Sequence, residues 1–202
     1  MRLFYSPNSP YARFARLVLR HHGLLHRVEE VKLHPFDNPG ELLKANPLGK
    51  VPTLLLNDGT PLFDSEVIAL YFDRSLGDGS LSSDLQDDWG RRVEFSLAKG
   101  LIDTAVMLRG EKWRDSQDGE RSSPFFAARF TAAIQRGLAR LEQAADDGPC
   151  AHASFVDLIQ GVAVGYIDFR HPEVGIATGF PKLHARHLQR PGQAFNETEP
   201  EG

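Results

Sequence analysis

The sequence predicts a two-domain protein in which a small mixed α/β domain is followed by an all-helical domain. Three observations support this fold class. Short apolar runs alternate with helical patterns up to residue 77, and a stretch rich in glycine, serine and aspartate fills residues 78–84. Beyond it, apolar residues recur at helical spacings of three and four. We therefore expect an α/β domain over residues 1–77, a linker over 78–84 and a helical domain over 85–202.

The first domain is predicted to have the element order β-α-β-α-β-β-α. Its opening strand–helix–strand unit implies two parallel strands joined by a right-handed crossover. Asp58–Gly59 separates two apolar runs and indicates a hairpin, in which Leu54–Leu56 pairs with Leu62–Phe63. In chain order the predicted elements are the strand Arg2–Tyr5, the helix Tyr11–His22, the strand Arg27–Val31, the helix Glu41–Ala45, the hairpin Val51–Phe63 and the helix Glu66–Leu76.

The first helix has clear start and stop signals. Ser9 is placed to act as its N-cap, Pro10 suits the first helical position, and Gly23 suits the position just past the C-terminus. Three arginines lie away from the apolar face, and we expect them to be solvated or to contact a second subunit. They are Arg13, Arg16 and Arg20.

After the linker we predict helices and no strand. The polar segment Glu111–Ser123 is expected to be irregular, and Pro191–Gly202 is expected to be a loosely held tail. Ser154 and Asp157 have the spacing of a capping box, which indicates a structural helix start. The predicted helices are Leu85–Arg109, Pro124–Asp146, Phe155–Phe169 and Pro181–Gln189.

Composition and patterning exclude several classes of protein. Lys and Arg number 23 against 27 Asp and Glu, and the net charge of -4 offers no general attraction to nucleic acid or an anionic membrane. No apolar run approaches the length of a membrane span, and the N-terminus lacks a targeting pattern. The single cysteine, Cys150, excludes an internal disulfide. We therefore expect a cytoplasmic protein that binds neither nucleic acid nor a membrane.

Histidine spacing does not support a metal site. The chain has eight histidines, of which His184 and His187 lie three residues apart on a predicted helix. A structural or catalytic metal needs further ligands at supporting spacings, and this pair has none. We therefore expect no metal.

The run Val51–Leu56 has proline at its second position. Proline is tolerated at the start of a strand, so the stretch taken alone is an ordinary edge strand with a trans bond. A cis bond would instead turn the Val51 backbone outward, leaving its N–H and C=O for a ligand. Cis bonds precede only about 5% of prolines in folded proteins.

Three features are expected to converge on one site: the turn at Ser9, the backbone of Val51–Pro52, and the turn at Asp64–Ser65. The first and third are predicted helix N-termini, which favour an anion, although each alone is equally a structural cap. Together they suit a peptide-like thiol with carboxylates, with its sulfur against Ser9, its amide against Val51 and its carboxylate at Asp64–Ser65. This arrangement favours a cis bond before Pro52.

The same segments resemble known families. Ser9–Ala12 reads Ser-Pro-Tyr-Ala where glutaredoxins carry Cys-Pro-Tyr-Cys. Further segments resemble bacterial glutathione S-transferases of the serine type, and the resemblance spans nearly the whole chain. It implies a thioredoxin-like βαβαββα domain followed by a helical bundle. The segments that resemble this family are Tyr5–Arg13, Asn46–Leu54, Phe63–Tyr71, Gly165–Arg170, and Arg190–Pro191 with Thr198–Pro200.

The resemblance implies that glutathione is the co-substrate and that Ser9 donates a hydrogen bond to its sulfur. Such a donor favours the thiolate, which is the nucleophile, and Ser9 forms no covalent intermediate. Ser6 and Asn8 are alternative donors. Tyr5 and Tyr11 flank the turn and are further alternatives, because other members of the family use tyrosine; Tyr11 is expected to line the site.

The resemblance also assigns the rest of the glutathione site. Val51, before a cis Pro52, pairs through its backbone with the cysteinyl amide. Asp64 takes the ammonium group of the γ-glutamyl end, and Ser65 takes its carboxylate. Lys50 is the candidate for the glycyl carboxylate.

A small hydrophobic electrophile is the implied second substrate, in a detoxification role, and a homodimer is the implied assembly. The electrophile is expected between the Ser9 turn and the long helix after the linker, against Tyr11, Leu101, Thr104 and Leu108. The alternatives are a non-catalytic glutathione-binding or protein-interaction module, and a glutathione-dependent isomerase, etherase or peroxidase. A disulfide reductase is disfavoured, because serine stands at the cysteine position.

Overall fold

A computed structural model describes residues 1–117, 122–145, 153–188 and 193–201 of the chain. The chain divides into two compact units, and each is described by itself. The first contains Met1–Gln86 together with the C-terminal segment, and the second begins at Asp87. Cys150 and Arg190–Pro191, on which the sequence analysis drew, lie outside the described residues.

The first unit is built on a four-stranded sheet with the strand order β2-β1-β3-β4. Strands β1 and β2 are parallel, as the strand–helix–strand pattern predicts, and β3 runs antiparallel to β1 and to β4. The hairpin pairs Leu54 with Leu62 and Leu55 with Pro61. The strands are β1 Arg2–Tyr5, β2 Glu29–Lys32, β3 Thr53–Leu55 and β4 Pro61–Leu62.

Three α-helices alternate with these strands along residues 1–70, and the thioredoxin-like order of elements is confirmed. The predicted N-cap and C-terminal signals of α1 are both in place, since Ser9 caps the helix and Gly23 adopts a left-handed φ of 64°. Helix α3 is shorter than predicted and continues into a wider π-helical turn, Tyr71–Leu76. The helices are α1 Pro10–His21, α2 Gly40–Ala45 and α3 Ser65–Leu70.

The second unit contains helices and no strand in its described part. Helix α6 carries the unit's most apolar sequence and is buried along nearly its whole length, with Ser154 as its N-cap, as predicted. Trp89 and Val93, by contrast, belong to the apolar residues that recur at helical spacing in α4, but they are 76% and 66% exposed. The helices are α4 Trp89–Gln117, α5 Pro124–Ala144, α6 Phe155–Arg170, α7 Ile176–Gly179 and α8 Pro181–Leu188.

The prediction that Glu111–Ser123 is irregular was wrong for its first part, because α4 continues to Gln117, and residues 118–121 lie outside the described residues. The polar residues of these last turns have partners that the sequence pattern does not reveal. Glu111 pairs with Arg114 one turn later and also accepts a hydrogen bond from the backbone N–H of Ser123 at 2.8 Å. Local ion pairing of this kind stabilises a polar helix that has no apolar stripe.

The predictions for the α1 arginines and for the C-terminal tail were also wrong, and for one reason. Arg13 and Arg16 are only 5% exposed, and residues 193–197 form a helix, α9, that packs on α1. Arg13 donates to the carbonyl oxygen of Phe195 at 3.1 Å, and Arg20 to Glu197 at 3.0 Å. The arginines are therefore buried by a segment about 180 residues away along the chain.

The segment that follows the π-helical turn is attached to the first unit through Asp73, which is fully buried. Its carboxylate accepts hydrogen bonds from the backbone N–H groups of Leu81 and Ser82, at 3.2 and 3.0 Å. It also lies 2.8 Å from Nε2 of His22 at the end of α1. The segment that contains Leu81 and Ser82 is therefore held to the rest of the first unit by hydrogen bonds to the Asp73 carboxylate.

Among the described residues, no helix has both the length and the apolar character needed to span a membrane.

Candidate active site

The register of the sheet brings the three predicted ligand-binding features to one edge. The Ser9 turn follows the carboxyl end of β1. Val51–Pro52 directly precedes β3, whose first residue, Thr53, lies opposite Phe4 near that same end of β1. Leu62, at the end of β4, lies opposite Leu54, so the chain leaves β4 toward Asp64 at this edge as well. Antiparallel pairing therefore gathers loops that are distant in sequence.

Ser9 is held in a fixed position by α1. Its Oγ accepts a hydrogen bond from the backbone N–H of Ala12 at 3.2 Å, and its own N–H donates to the carbonyl oxygen of Ser6 at 3.0 Å. A hydroxyl has one proton to donate. Among the described residues nothing accepts it, so the Ser9 hydroxyl can cap the helix and donate to a ligand at the same time.

The residues around Ser9 differ in whether their polar groups are free to contact a ligand or already have contacts within the protein. Asn8 has a buried side-chain oxygen without a hydrogen-bond partner in the described part of the chain. Buried polar atoms are nearly always paired, so this one is consistent with a ligand at the turn. The guanidinium of Arg16 lies 4.1 Å from the centre of the Tyr5 ring. Tyr11 is half-buried in the first turn of α1, two residues beyond Ser9.

The Val51–Pro52 peptide bond is cis, and Val51 packs against the apolar cluster that contains Phe4 and Leu42. None of the described loop and turn hydrogen bonds uses the N–H or C=O of Val51. The bend before it is held by Asn46, a residue that the sequence analysis did not single out. A ligand can therefore pair with the Val51 backbone.

Asn46 is only 1% exposed and uses both ends of its amide. Nδ2 donates to the carbonyl oxygen of Lys50 at 3.1 Å and to Thr53 Oγ1 at 3.0 Å, and Oδ1 accepts from the N–H of Leu48 at 3.0 Å. These bonds fix the chain immediately before Val51. In the sequence, Asn46 was named only as the first residue of the segment Asn46–Leu54 that resembles the family.

Asp64 and Ser65 begin α3. The Asp64 carboxylate accepts a hydrogen bond from the N–H of Glu66 at 3.0 Å and is otherwise exposed, whereas Ser65 is 4% exposed. Lys50 is exposed in the bend before Val51, and it makes no ion pair with a described residue. The edge of the sheet thus presents a carboxylate, a hydroxyl and an ammonium group beside the Ser9 turn.

Helix α1, whose N-terminus is capped by Ser9, is held on the sheet by a buried cluster of charged side chains. Glu30 on β2 accepts hydrogen bonds from Arg16 and Arg20 at 2.6 Å each. Burial raises the pKa of Glu30, but the hydrogen bonds and charges of Arg20 and Arg16 outweigh burial, and the net pKa is lowered. Burial also lowers the pKa of Arg13, one turn from Ser9. These contacts set the position of α1 on the sheet.

The predicted electrophile-contacting residues of the helical unit lie on α4. Leu101 and Leu108 are 3% and 2% exposed, and a Cβ atom added at Gly137 on α5 would lie 2.6 Å from Leu101. Leu101 therefore packs closely against α5. Thr104 is half-buried and donates to the carbonyl oxygen of Gly100 at 2.7 Å.

One group of residues in the described part of the chain has the composition of a metal site, and it does not include His184 or His187. His22, Asp73 and Asp78 bring three potential ligand atoms within 4.8 Å of one another. Asp73 already accepts hydrogen bonds from two backbone N–H groups and lies 2.8 Å from His22. These side chains therefore join the segment after α3 to the end of α1.

The chain has clear relatives. The family model described as "Glutathione S-transferase, N-terminal domain" matches residues 8–75. Over 206 aligned residues, the chain is 28% identical to the uncharacterized GST-like protein YibF of Escherichia coli K12, with 99% of this chain and 98% of that protein covered.

Solved structures agree with the sequence comparisons. A glutathione transferase family member from Pseudomonas fluorescens Pf-5 with bound glutathione is 31% identical, with a TM-score of 0.84 over 100% of this chain and 99% of that chain. A glutathione S-transferase from Methylobacillus flagellatus with glutathione bound is 28% identical, with a TM-score of 0.85 over 99% of both chains. Because it is 31% identical to the Pseudomonas family member over nearly the whole of both chains, and because the N-terminal domain model matches residues 8–75, this chain belongs to the glutathione S-transferase family.

Proposed function

We propose that this protein is a glutathione transferase that activates the glutathione thiolate for attack on a small hydrophobic electrophile. The observation that supports this most directly is the convergence of Ser9, Val51 and Asp64 at one edge of the sheet through the register of β1, β3 and β4. Two solved relatives that cover nearly the whole chain bind glutathione.

The groups at this edge match the chemistry of a tripeptide thiol. The Ser9 hydroxyl donates to the sulfur, and the Val51 backbone pairs with the cysteinyl amide beside Pro52. Asp64 binds the ammonium group and Ser65 the carboxylate of the γ-glutamyl end. The exposed cation in the bend before Val51, Lys50, binds the glycyl carboxylate.

The role of Ser9 is to favour the charged form of the thiol. A free thiol with a pKa near 8.5 is only a few per cent ionised at neutral pH. A hydrogen bond to a charged acceptor is worth about 1.5–3 kcal/mol, and each pKa unit corresponds to about 1.36 kcal/mol. One donor therefore lowers the thiol pKa by about one to two units. Sulfur then forms a bond to the electrophilic carbon, and the leaving group departs with the bonding electrons.

The second substrate is proposed to contact Tyr11 and the α4 residues Leu101, Thr104 and Leu108, and the protein is proposed to act in the cytoplasm as a homodimer in detoxification. Exposed apolar side chains occur in each unit and suit a subunit interface. Val67 is 45% exposed on α3, and Trp89 is 76% exposed on α4.

Binding and turnover are measured side by side. The full-length protein is applied to immobilised glutathione and assayed for conjugation of a chlorodinitrobenzene and of several other electrophiles. Retention with turnover supports the proposal. Retention without turnover on any electrophile contradicts the transferase and favours a non-catalytic glutathione-binding module, whereas failure to bind contradicts both.

The assignment of Asp64 is tested with a charge-neutral replacement that keeps the helix cap. Asparagine is as good an N-cap as aspartate, so Asp64→Asn should preserve α3 and weaken glutathione binding about fivefold, because one exposed charge-assisted contact is lost. The matched control is Asp58→Asn, which removes another exposed carboxylate of the same unit. Equal effects of the two substitutions would contradict the assignment.

A further inference from the structure

Three side chains with metal-binding atoms meet in the first unit, where α1 ends. His22 is the C-cap residue of α1, Asp73 lies in the π-helical turn after α3, and Asp78 follows that turn. Each offers one ligand atom, and the three atoms lie within 4.8 Å of one another. An imidazole beside carboxylates is a donor set that suits divalent transition metals.

The buried carboxylate of Asp73 determines which nitrogen of the His22 ring carries a proton. Asp73 accepts hydrogen bonds from the backbone N–H groups of Leu81 and Ser82, so it acts as an acceptor. Nε2 of His22, 2.8 Å away, therefore donates to it, and in the neutral ring Nδ1 then has the lone pair. Histidines that bind metals are commonly oriented in this way, with one N–H bonded to a carboxylate and the other nitrogen bonded to the metal.

The Nδ1 atom of His22 has no hydrogen bond to a described residue, although the side chain is only 7% exposed. A Cβ atom added at Gly77 would lie 2.6, 2.7 and 2.7 Å from Nδ1, Cε1 and Cγ of the ring. Such nearly equal distances place Gly77 over the face of the ring. The edge of the ring that bears the Nδ1 lone pair is therefore not covered by Gly77.

This edge of the ring lies beside the exposed carboxylate of Asp78, whose Oδ1 is 3.8 Å from Nδ1. The hydroxyl and the N–H of Ser80 donate to the same oxygen at 2.6 and 3.0 Å, and these hydrogen bonds lower the pKa of Asp78. A lone pair and a carboxylate oxygen that face each other repel unless a cation lies between them. A proton on Nδ1 or a metal ion can be that cation.

We propose that His22 Nδ1 and Asp78 Oδ1 bind a divalent transition metal such as zinc, with Asp73 orienting the ring from its other side. Tetrahedral zinc with bonds of about 2.1 Å separates two ligand atoms by about 3.4 Å, so the exposed Asp78 side chain needs to move by only about 0.4 Å. Water completes the coordination, and the site is therefore weaker than a structural site with four protein ligands. The ligands are distant in sequence, so histidine spacing does not indicate them.

Binding of zinc chloride to the metal-free, full-length protein is measured by calorimetry, without glutathione, because its thiol would itself bind zinc. His22→Gln and Asp78→Asn should each weaken zinc binding at least about tenfold, since even outer partners of metal sites contribute ten- to a hundredfold. Magnesium chloride should not displace zinc, because magnesium prefers a shell of oxygen ligands. Histidine side-chain NMR locates the metal: zinc should shift the Nδ1 signal of His22, while Nε2 keeps its proton.

Two control variants match the two ligands. Asp58→Asn removes an exposed carboxylate that accepts the N–H of Thr60 at 2.9 Å, much as Asp78 accepts that of Ser80. His34→Gln removes a histidine whose Nδ1 lies 3.5 Å from Asp37, in a pair with both side chains exposed. Both variants should bind zinc as the wild type does, and circular dichroism establishes that every variant is folded.

Zinc binding that is lost in the His22 and Asp78 variants and kept in the two controls supports the site. An absence of zinc binding would overturn it and leave His22 as an ion-pair partner of two aspartates. An equal loss in a control variant, displacement of zinc by magnesium, or NMR shifts at other histidines but not at His22 would each overturn it as well.

Discussion

Ser9→Ala separates the proposed catalytic role of Ser9 from its structural role. Its Oγ accepts the N–H of Ala12 at 3.2 Å, so the hydroxyl has one proton to donate to the glutathione sulfur. Losing a bond of about 1.5–3 kcal/mol should raise the pKa of bound glutathione by about one to two units. Losing the cap should lower the free energy of unfolding by about 1 kcal/mol.

The assay is an ultraviolet titration of the thiolate in the glutathione complex, combined with the pH dependence of kcat/KM. Below the thiol pKa the ionised fraction falls tenfold for each unit by which the pKa exceeds the pH. At low pH, conjugation by Ser9→Ala should therefore be about ten- to a hundredfold slower than conjugation by the wild type. The deficit should disappear once the pH exceeds the raised pKa. Glutathione affinity should change little, because the backbone and charge contacts remain.

Ser123→Ala is the matched control. Ser123 caps α5 through a hydrogen bond from the N–H of Phe126 at 3.4 Å, so its replacement removes a serine cap in the other unit. This variant should lose a similar amount of stability and retain the wild-type thiol pKa. An unchanged thiol pKa in Ser9→Ala, or an equal shift in Ser123→Ala, would refute the assignment of Ser9 as the sulfur donor.

Two further predictions concern buried charges. Glu30→Gln removes the carboxylate shared by two buried guanidinium groups of α1, of which only Arg20 keeps another carboxylate, Glu197, and should lower the free energy of unfolding by about 3 kcal/mol in urea denaturation. Glu29→Gln, at a side chain that is 68% exposed, should cost less than about 0.5 kcal/mol, and equal costs would contradict the buried cluster. Burial lowers the pKa of His171, so its contribution to stability is complete above the unfolded pKa of about 6.5 and declines as the pH falls from there toward the folded pKa. His171→Gln should therefore flatten the decline of Tm between about pH 7 and pH 5 relative to wild type, and identical slopes would contradict this.

Features that depend on local chemistry were predictable from the sequence. The ends of α1 follow from Ser9, Pro10 and Gly23, which satisfy or replace backbone groups within one turn of the helix. The parallel β1–β2 pair and the β3–β4 hairpin follow from the order of elements and from Asp58–Gly59. These signals act over a few residues, so an amino-acid pattern carries them completely.

The candidate site was predictable only in part. Ser9, Val51 and Asp64 were identified from motifs, and the strand register then placed their loops at one edge of the sheet. The buried, unpaired oxygen of Asn8 and the supporting bonds of Asn46 had no distinctive pattern. In the sequence, an asparagine whose side chain forms buried hydrogen bonds cannot be distinguished from any other asparagine.

The sequence by itself determined the thioredoxin-like order of elements, the helix caps and the family, because each depends on neighbouring residues or on short motifs. Only the tertiary structure decided the environment of the polar residues. Arg13 is buried because Phe195 accepts its hydrogen bond, and α4 continues through Glu111 because that carboxylate reaches Ser123. In each case the partner is a backbone group outside the helix, and the hydrogen bond to it reverses what polarity alone predicts for the charged side chain.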